Sequence, residues 1–382
     1  MMALNWPAGQ HKLVVLAAGG TGGHLFPAQA LAEALVRRGH VIHLITDERV
    51  RSYGRGFPAL EIHQIPSATL SLRQLHLLPL RLLRLWRGFR AASELLGHLR
   101  PAALAGFGGY PSFPPVLAAS RLRIPTLIHE QNAVMGRANR ALAVRVDRVA
   151  SSFPAITNLP PSANKKVRYT GNPVREFVLE HRAPCYMPAV ADGTFRLVVF
   201  GGSQGARFFA EFMPGVMRAL PKAVVRTLKL TQQCRPEDLE SVKAAYGSLG
   251  IEAELAPFFQ DMPKRIADAH LVICRSGAST IAELGVIGRP AVLIPLPHSI
   301  DNDQLRNAES FAASGAGWVK LQAELKADEF AAFLTHLRYD EGGLNHAAEQ
   351  AKAQGRPDAA ERLADIVAEL AAGDKQGETT KR

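Results

Sequence analysis

Leu13-Val14-Val15-Leu16-Ala17-Ala18-Gly19-Gly20-Thr21-Gly22-Gly23-His24 is the stretch that decides the fold. Six apolar residues closed by glycine read as a strand buried on both faces, and Leu25 to Arg38 beyond them reads as a helix. Strand, glycine turn and helix N-terminus in succession bring bare main-chain N–H groups up to an anion or a sugar. Gly19, Gly20, Gly22 and Gly23 allow positive φ and keep Cβ atoms away from a ligand. His24 sits at the loop-to-helix junction with a titratable ring. The spacing is neither the dinucleotide fingerprint G-x-G-x-x-G nor a P-loop, since no Gly-Lys-Ser/Thr follows.

Working outward, short apolar runs alternate with helical stretches in both halves of the chain. Leu13–Ala18, Val41–Thr46, Ala103–Phe107, Thr126–His129 and Arg148–Ser151 read as strands in the first half. Arg196–Gly201, Val225–Leu230, Glu252–Ala256, Leu271–Cys274 and Ala291–Pro295 do so in the second. Strands of this kind separated by helices predict an α/β protein with two doubly wound, parallel-sheet, Rossmann-like domains. The expected ligand position is the cleft that the two domains face, at the carboxyl ends of the strands. At 382 residues, two domains are also what length predicts. The hinge is expected at Tyr169-Thr170-Gly171-Asn172-Pro173, dividing residues 1–170 from 171–355. A helix over Arg356 to Ala372 is expected to pack back onto the first domain, leaving 373–382 as a polar tail.

Cys185, Cys234 and Cys274 are odd in number and widely spaced, which suits a reducing compartment better than a disulfide framework or a metal site. No signal peptide and no apolar run of spanning length is seen, so a soluble or peripheral protein is expected. Charge is unevenly placed. Residues 1–170 carry 21 Lys/Arg against 7 Asp/Glu, a balance of +14, whereas the remainder carries 24 against 27, or −3. The first half therefore faces something anionic, either nucleic acid or a membrane surface. No helix-turn-helix, RNP or zinc pattern accompanies that charge, which argues against nucleic acid.

From Pro79 the chain reads Leu80-Arg81-Leu82-Leu83-Arg84-Leu85-Trp86-Arg87-Gly88-Phe89-Arg90. At 100° per residue, Leu78, Leu82, Leu85, Trp86 and Phe89 share one face and Arg81, Arg84, Arg87 and Arg90 the other. Such a helix suits the interface of an anionic bilayer, and it equally suits packing on its own sheet with the arginines in water.

Further loops of the same design follow. Gly106-Phe107-Gly108-Gly109-Tyr110 and His129-Glu130-Gln131-Asn132 close two strands of the first half, and both should converge on the sheet edge that holds His24. In the second half, Gly201-Gly202-Ser203-Gln204-Gly205-Ala206 offers a phosphate seat. Cys274-Arg275-Ser276-Gly277-Ala278-Ser279-Thr280 sets hydroxyls at another helix start, with Glu283 about one turn inside. An anion there gains roughly 0.3–1 kcal/mol from the helix dipole, and the Glu283 carboxylate suits ribose hydroxyls. Asp301-Asn302-Asp303 invites a Mg²⁺ reading, but no other ligand cluster supports it. No metal and no cofactor are expected.

Taken in order, Gly-Gly-Thr-Gly-Gly-His-x-x-Pro, Gly-Gly-Tyr, His-Glu-Gln-Asn, Gly-Asn-Pro-Val-Arg, Gly-Gly-Ser-Gln-Gly-Ala and Arg-Ser-Gly-Ala-x-Thr-x-x-Glu resemble the peptidoglycan glycosyltransferases that convert lipid I to lipid II. The resemblance runs from about Lys12 to Ala372. It implies a GT-B fold and an inverting transfer of N-acetylglucosamine from UDP-N-acetylglucosamine to undecaprenyl-diphosphate-linked muramyl pentapeptide. It also implies an acceptor and membrane domain (1–170), a UDP-sugar domain (171–355), and a peripheral site of action on the cytoplasmic face of an anionic inner membrane.

Carried over by position, the resemblance places Thr21, Gly22 and Gly23 at donor or acceptor groups and Asn132 at the donor sugar. Arg175 and Ser203 meet the nucleotide and its diphosphate, and Phe259 lies by uracil. Ala278, Ser279 and Thr280 hold diphosphate and sugar, Glu283 the ribose, and Gln304 the sugar hydroxyls. Phe259 stands where the family has an aliphatic residue, and Asp303 where it has His or Gln. An inverting reaction needs a general base beside the attacking C4 hydroxyl, and His24 is expected in that role with Glu130 as its competitor. Leu82, Trp86 and Phe89 are expected to lie on lipid. Another glycolipid glycosyltransferase or a UDP-sugar epimerase of similar architecture are the alternative readings.

Overall fold

A computed structural model of the chain describes residues 12–19, 22–47, 56–68, 78–182, 185–190 and 193–373, with 203–206 and 300 by main chain only. It divides into two compact units, Met1–Arg175 with Pro357–Arg382, and Glu176–Arg356. The middle of the chain is thus an insertion between two parts of the first unit.

The first unit contains β1 (Leu13–Ala17), α1 (Gly22–Arg37), β2 (Val41–Thr46), β3 (Glu61–Gln64), α2 (Leu78–Leu99), β4 (Ala103–Gly106) and α3 (Gly109–Arg121). β5 (Thr126–Glu130), α4 (Arg137–Ala143), β6 (Arg148–Ser151) and β7 (Val167–Tyr169) complete its contiguous part. Its seven strands lie in the order β3-β2-β1-β4-β5-β6-β7, every pair parallel. Alternation along each strand sends side chains to opposite faces. Val14, Leu16, Ile42 and Leu44 join one buried cluster with Leu31 and Leu35 of α1. Val15, Ala17, Ile45 and Leu104 join a second with Ala92 and Leu96 of α2. Apolar runs in β1 and β2 thus reflect burial on both sides of the sheet.

The second unit contains α5 (Glu176–Leu179), β8 (Phe195–Phe200), α6 (Gly202–Ala219), α7 (Lys222–Thr227), β9 (Leu228–Gln233), α8 (Leu239–Ser248), β10 (Glu252–Ala256) and α9 (Met262–Asp268). β11 (Leu271–Cys274), α10 (Ala278–Ile287), β12 (Ala291–Leu293), α11 (Asp303–Ala312), β13 (Gly317–Val319), α12 (Ala327–Tyr339) and α13 (Glu341–Gln354) follow. The strand order is β10-β9-β8-β11-β12-β13, again all parallel. The apolar run expected as a strand over Val225–Leu230 divides instead. Pro221 opens the short helix α7, and the strand starts at Leu228.

The last helix, α14 (Ala359–Ala372), packs on α1 and contributes Leu363, Ala364 and Val367 to the first unit's core. Arg37 and Arg38 pair with Glu361 at 2.7 and 2.5 Å, Arg38 also reaches Asp365 at 2.8 Å, and Lys12 Nζ donates to the Ala371 carbonyl at 2.8 Å. Partly exposed pairs such as these contribute about 0–1 kcal/mol each, so the buried apolar stripe is the main attachment.

In α2 the line turned to the sheet is Gly88, Ala92 and Leu96, with Leu85 and Phe89 half-buried beside it. A Cβ on Gly88 would overlap the Pro66 carbonyl oxygen, so glycine there permits a close approach of helix and loop. Leu80, Leu82, Leu83 and Trp86 are exposed. No described helix is long and apolar enough to cross a membrane.

Candidate active site

In both sheets the chain runs outward from a central strand and then begins again on that strand's other side. Such switch points lie between β1 and β4 and between β8 and β11. Crevices at the carboxyl ends of these strands are where open α/β sheets receive ligands. The four loops that leave them carry the glycine motifs.

In the first unit, the turn after β1 leads into α1, and the half-buried His24 is that helix's third residue. Its ring rests on glycines of two turns. A Cβ on Gly109 would lie 3.2 Å from His24 Cδ2 and 3.3 Å from Nε2, and one on Gly19 would lie 3.6 Å from Cδ2. Gly109 also has φ of 71°, so a side chain there meets both strain and a clash. Gly22 leaves room for Phe26, whose Cε2 would be 2.9 Å from a Cβ at that position. The Arg175 guanidinium carbon lies 3.7 Å from the Phe26 ring centre, a cation–π contact that ties the Gly171–Arg175 segment to α1. Gly23 is exposed, with nothing near its missing Cβ, and Thr21 lies outside the described residues.

β5 ends on Glu130, which is 1% exposed. Its Oε1 accepts from the Asn132 main-chain N–H at 3.0 Å, and its Oε2 accepts from Gly136 N–H at 3.0 Å and Asn139 Nδ2 at 2.8 Å. Burial raises its pKa above the usual carboxylate range, opposed by the hydrogen bonds of Asn132, Asn139 and Gly136. Glu130, expected as the competitor of His24 for the role of base, thus lies buried within its own loop. This sealed carboxyl, held by donors of Asn132, Gly136 and Asn139, organises the loop that carries the half-buried Asn132.

His129, fully buried one residue earlier, places Nε2 3.2 Å from the Gly171 carbonyl. A carbonyl only accepts, so Nε2 bears the hydrogen and Nδ1 accepts from Gln131 Nε2 at 3.3 Å. Burial pulls this imidazole down to about 4, and the neighbouring His24 acts in the same direction. At neutral pH it is an uncharged strut between β5 and the segment leading to Arg175. Asn172 in that segment belongs to the expected hinge and to the Gly-Asn-Pro-Val-Arg motif, but sequence assigned it no role of its own. It is 6% exposed, and neither amide atom has a hydrogen-bond partner among the described residues. Its place in that motif, before Pro173, was the signal that could have found it.

In the second unit, Gly202 has φ of 66°, and Gln233 at the end of β9 secures the turn by accepting from Gly201 and Gly202 N–H at 3.3 and 3.0 Å. Ser203 is placed by its main chain in the first turn of α6. After β11, Ser276 Oγ donates to the Gln304 carbonyl at 2.7 Å and Asn307 Nδ2 to the Ser276 carbonyl at 3.2 Å. Gln304 Oε1 accepts from Leu296 N–H at 3.0 Å. These bonds join the loops after β11 and β12. α10 begins at Ala278 with no side-chain cap, and the buried Ser279 Oγ has no protein partner among the described residues. Thr280 and Glu283 are half-buried on the same helix.

Arg275 is held inward by the Ile294 and Pro295 carbonyls, both at 3.0 Å, and by Gln322 Oε1 at 2.6 Å. Burial lowers its guanidinium to about 10. The Phe259 ring is 7% exposed under the Arg265 guanidinium at 4.3 Å, while Phe258 is exposed. Phe259 is thus an anchor for its loop, and its ring is turned from solvent.

Of the residues expected on lipid, Leu82 and Trp86 are exposed together. Phe89 is separated from them, half-buried against the core with Arg121 5.1 Å from its ring centre. The expected shared face is corrected to that extent, because the helix turns Phe89 toward the sheet side.

Two doubly wound parallel sheets with glycine-lined helix starts at both switch points are the architecture of the GT-B fold, the class to which glycosyltransferases of this kind belong. Residues 14–151 match the glycosyltransferase family 28 N-terminal domain and residues 196–363 the C-terminal domain, and the chain belongs to that family. It is 50% identical over 364 residues to the UDP-N-acetylglucosamine--N-acetylmuramyl-(pentapeptide) pyrophosphoryl-undecaprenol N-acetylglucosamine transferase of Rhizobium leguminosarum bv. trifolii, covering 94% of this chain and 96% of that one. The protein of the same name from Chelativorans sp. is 48% identical over 375 residues, with 97% and 98% covered. The crystal structure of Acinetobacter baumannii MurG superposes with a TM-score of 0.75 at 30% identity, over 93% of this chain and 99% of that one.

Proposed function

We propose that this chain transfers N-acetylglucosamine from UDP-N-acetylglucosamine to the C4 hydroxyl of undecaprenyl-diphosphate-linked N-acetylmuramyl pentapeptide, with inversion at the sugar carbon. Lipid I is thereby converted to lipid II. The observation that carries this reading is 50% identity across 94% of the chain to a transferase bearing that name.

The residues supply a chemistry for it. Nucleophilic attack at the anomeric carbon expels UDP, so a base must take the C4 hydroxyl proton and positive groups must meet the leaving diphosphate. His24 is assigned as the base, since its ring stands at the switch point on two glycine turns. The uncapped start of α10, with Ser279 and Thr280, and the Ser203 turn are assigned to the diphosphate. Arg175 adds a cation, Glu283 receives the ribose, and the main chain around Phe259 reads uracil. Gln304 uses its remaining amide nitrogen on the sugar, and Asn132 meets the donor sugar from a loop that Glu130 holds. Gly22 and Gly23 line the approach to His24, and Thr21 is assigned with them to donor or acceptor groups.

The outer side of α2 is assigned to an anionic membrane. Leu80, Leu82, Leu83 and Trp86 are exposed, Arg84, Arg87 and Arg90 lie among them, and Arg90 stands 5.2 Å from the Trp86 ring centre. The cytoplasmic face of the inner membrane is where donor and acceptor would meet such a surface. No nucleic acid is proposed as a partner.

Purified protein incubated with radiolabelled UDP-N-acetylglucosamine and lipid I, or a short-chain analogue, should yield labelled lipid product. Release of free UDP without a labelled lipid would overturn the reading.

A further inference from the structure

Away from the glycine loops, three side chains of the first sheet converge. His43 lies on β2, and Glu61 and His63 lie two residues apart on the edge strand β3, so the latter pair share a face. Parallel pairing sets His43 opposite Glu61 and Ile45 opposite His63. His43 Nδ1 and His63 Nε2 are 2.9 Å apart, and Glu61 Oε2 lies 3.5 Å from the His63 nitrogen and 4.0 Å from the His43 nitrogen. We propose that His43, Glu61 and His63 form a binding site for a divalent transition-metal ion of the zinc class.

The separations carry the argument. A point equidistant from three atoms spaced 2.9, 3.5 and 4.0 Å apart lies about 2.1 Å from each, which is the length of a Zn–N or Zn–O bond. Two imidazoles and one carboxylate are a ligand set that zinc accepts with a fourth position left to water. The chemistry of the pair agrees. Two ring nitrogens 2.9 Å apart cannot both carry a proton, so the cluster holds a single hydrogen between them, and a metal ion would take that position. His43 is buried and fixed in the sheet, His63 is half-buried, and the Glu61 side chain is 61% exposed, which gives an ion a way in from solvent. Among the described residues this is the one group of three or more His, Cys, Asp or Glu side chains placed to share an ion. The Asp301-Asn302-Asp303 triplet does not form such a group.

A metal at this position would pin the edge strand β3 to β2. The proposal is independent of the transferase reading, and its test uses no glycosyl substrate. Zinc chloride is titrated calorimetrically into the metal-free full-length chain, and Co²⁺ is followed by its visible absorption. One ion per chain is expected, together with a rise in Tm on adding Zn²⁺. Because His43 lies inside the sheet, the variants are His63→Gln and Glu61→Gln, each expected to weaken Zn²⁺ binding at least about tenfold. Absence of stoichiometric binding, or wild-type affinity in both folded variants, would overturn the assignment.

Discussion

The main-chain N–H of Asn132 donates to Oε1 of Glu130 at 3.0 Å, two residues back along the same chain. With Gly136 and Asn139 on the other oxygen, that carboxylate fixes where Asn132 can present its amide. Glu130→Gln puts an NH₂ group against these donors and should destabilise the fold by about 1–3 kcal/mol while raising KM for the donor sugar. The acidic limb of the kcat profile, which a general base sets, should survive. His24→Ala should do the reverse, lowering kcat by at least about 10²-fold with little change in Tm. Steady-state kinetics across pH, with thermal melts of both variants, would separate a positioning group from a base. A near-normal kcat in folded His24→Ala would remove His24 from the chemistry.

Ser279 offers a cleaner probe of the donor unit. Its hydroxyl has no protein partner among the described residues, so Ser279→Ala should leave Tm within about 0.5 kcal/mol equivalent of wild type. If the start of α10 holds the diphosphate, UDP binding measured by calorimetry should weaken about three- to tenfold, the loss of one hydrogen bond to a charged group. Unchanged UDP affinity would place the diphosphate elsewhere.

The exposed side of α2 predicts a salt-dependent attachment to lipid. The double variant Leu82→Glu/Trp86→Glu should no longer sediment with anionic vesicles at low salt, whereas wild type should. Phe89→Leu should sediment normally, since that ring is turned to the sheet side.

Gly88→Ala tests the packing beneath that helix. The added methyl would meet the Pro66 carbonyl, and overpacking of this kind costs about 1–3 kcal/mol. Urea titration should show the loss, while Gly97→Ala, with nothing near its Cβ, should be neutral or stabilising.

Stability should fall with acid before carboxylates begin to titrate. His129 and His270 are both pulled down to about 4, in each case chiefly by burial. Unfolding returns each to about 6.5, so the unfolded chain binds protons that the folded one refuses. The stability of the neutral rings is therefore complete above pH 6.5 and is lost as pH falls from 6.5 toward 4. Fully buried His129 alone should account for about 2 kcal/mol between pH 7 and 5. Urea midpoints for wild type and His129→Gln should converge as the pH is lowered.

The strands that carry the glycine loops were legible because burial on both faces demands an unbroken apolar run, as in β1 and β8. Three edge or near-edge strands were not. β3 reads Glu-Ile-His-Gln, β7 reads Val-Arg-Tyr, and β13 is three residues long. A strand at the rim faces solvent and need not be apolar, so its sequence resembles loop. The site was legible at the level of which loops converge, since that follows from strand order. What Glu130 does was not, because two of its donors, Gly136 and Asn139, belong to the following turn and helix.

The closing helix has one more consequence. Because α14 supplies Leu363, Ala364 and Val367 to the core built around α1, the domain begun first on the ribosome is completed last. Until the final turn emerges, an apolar flank of α1 stays uncovered while the entire inserted unit is free to fold. A chain that stops near residue 356 would therefore leave its earliest-made half, not its most recent one, open to aggregation and proteolysis.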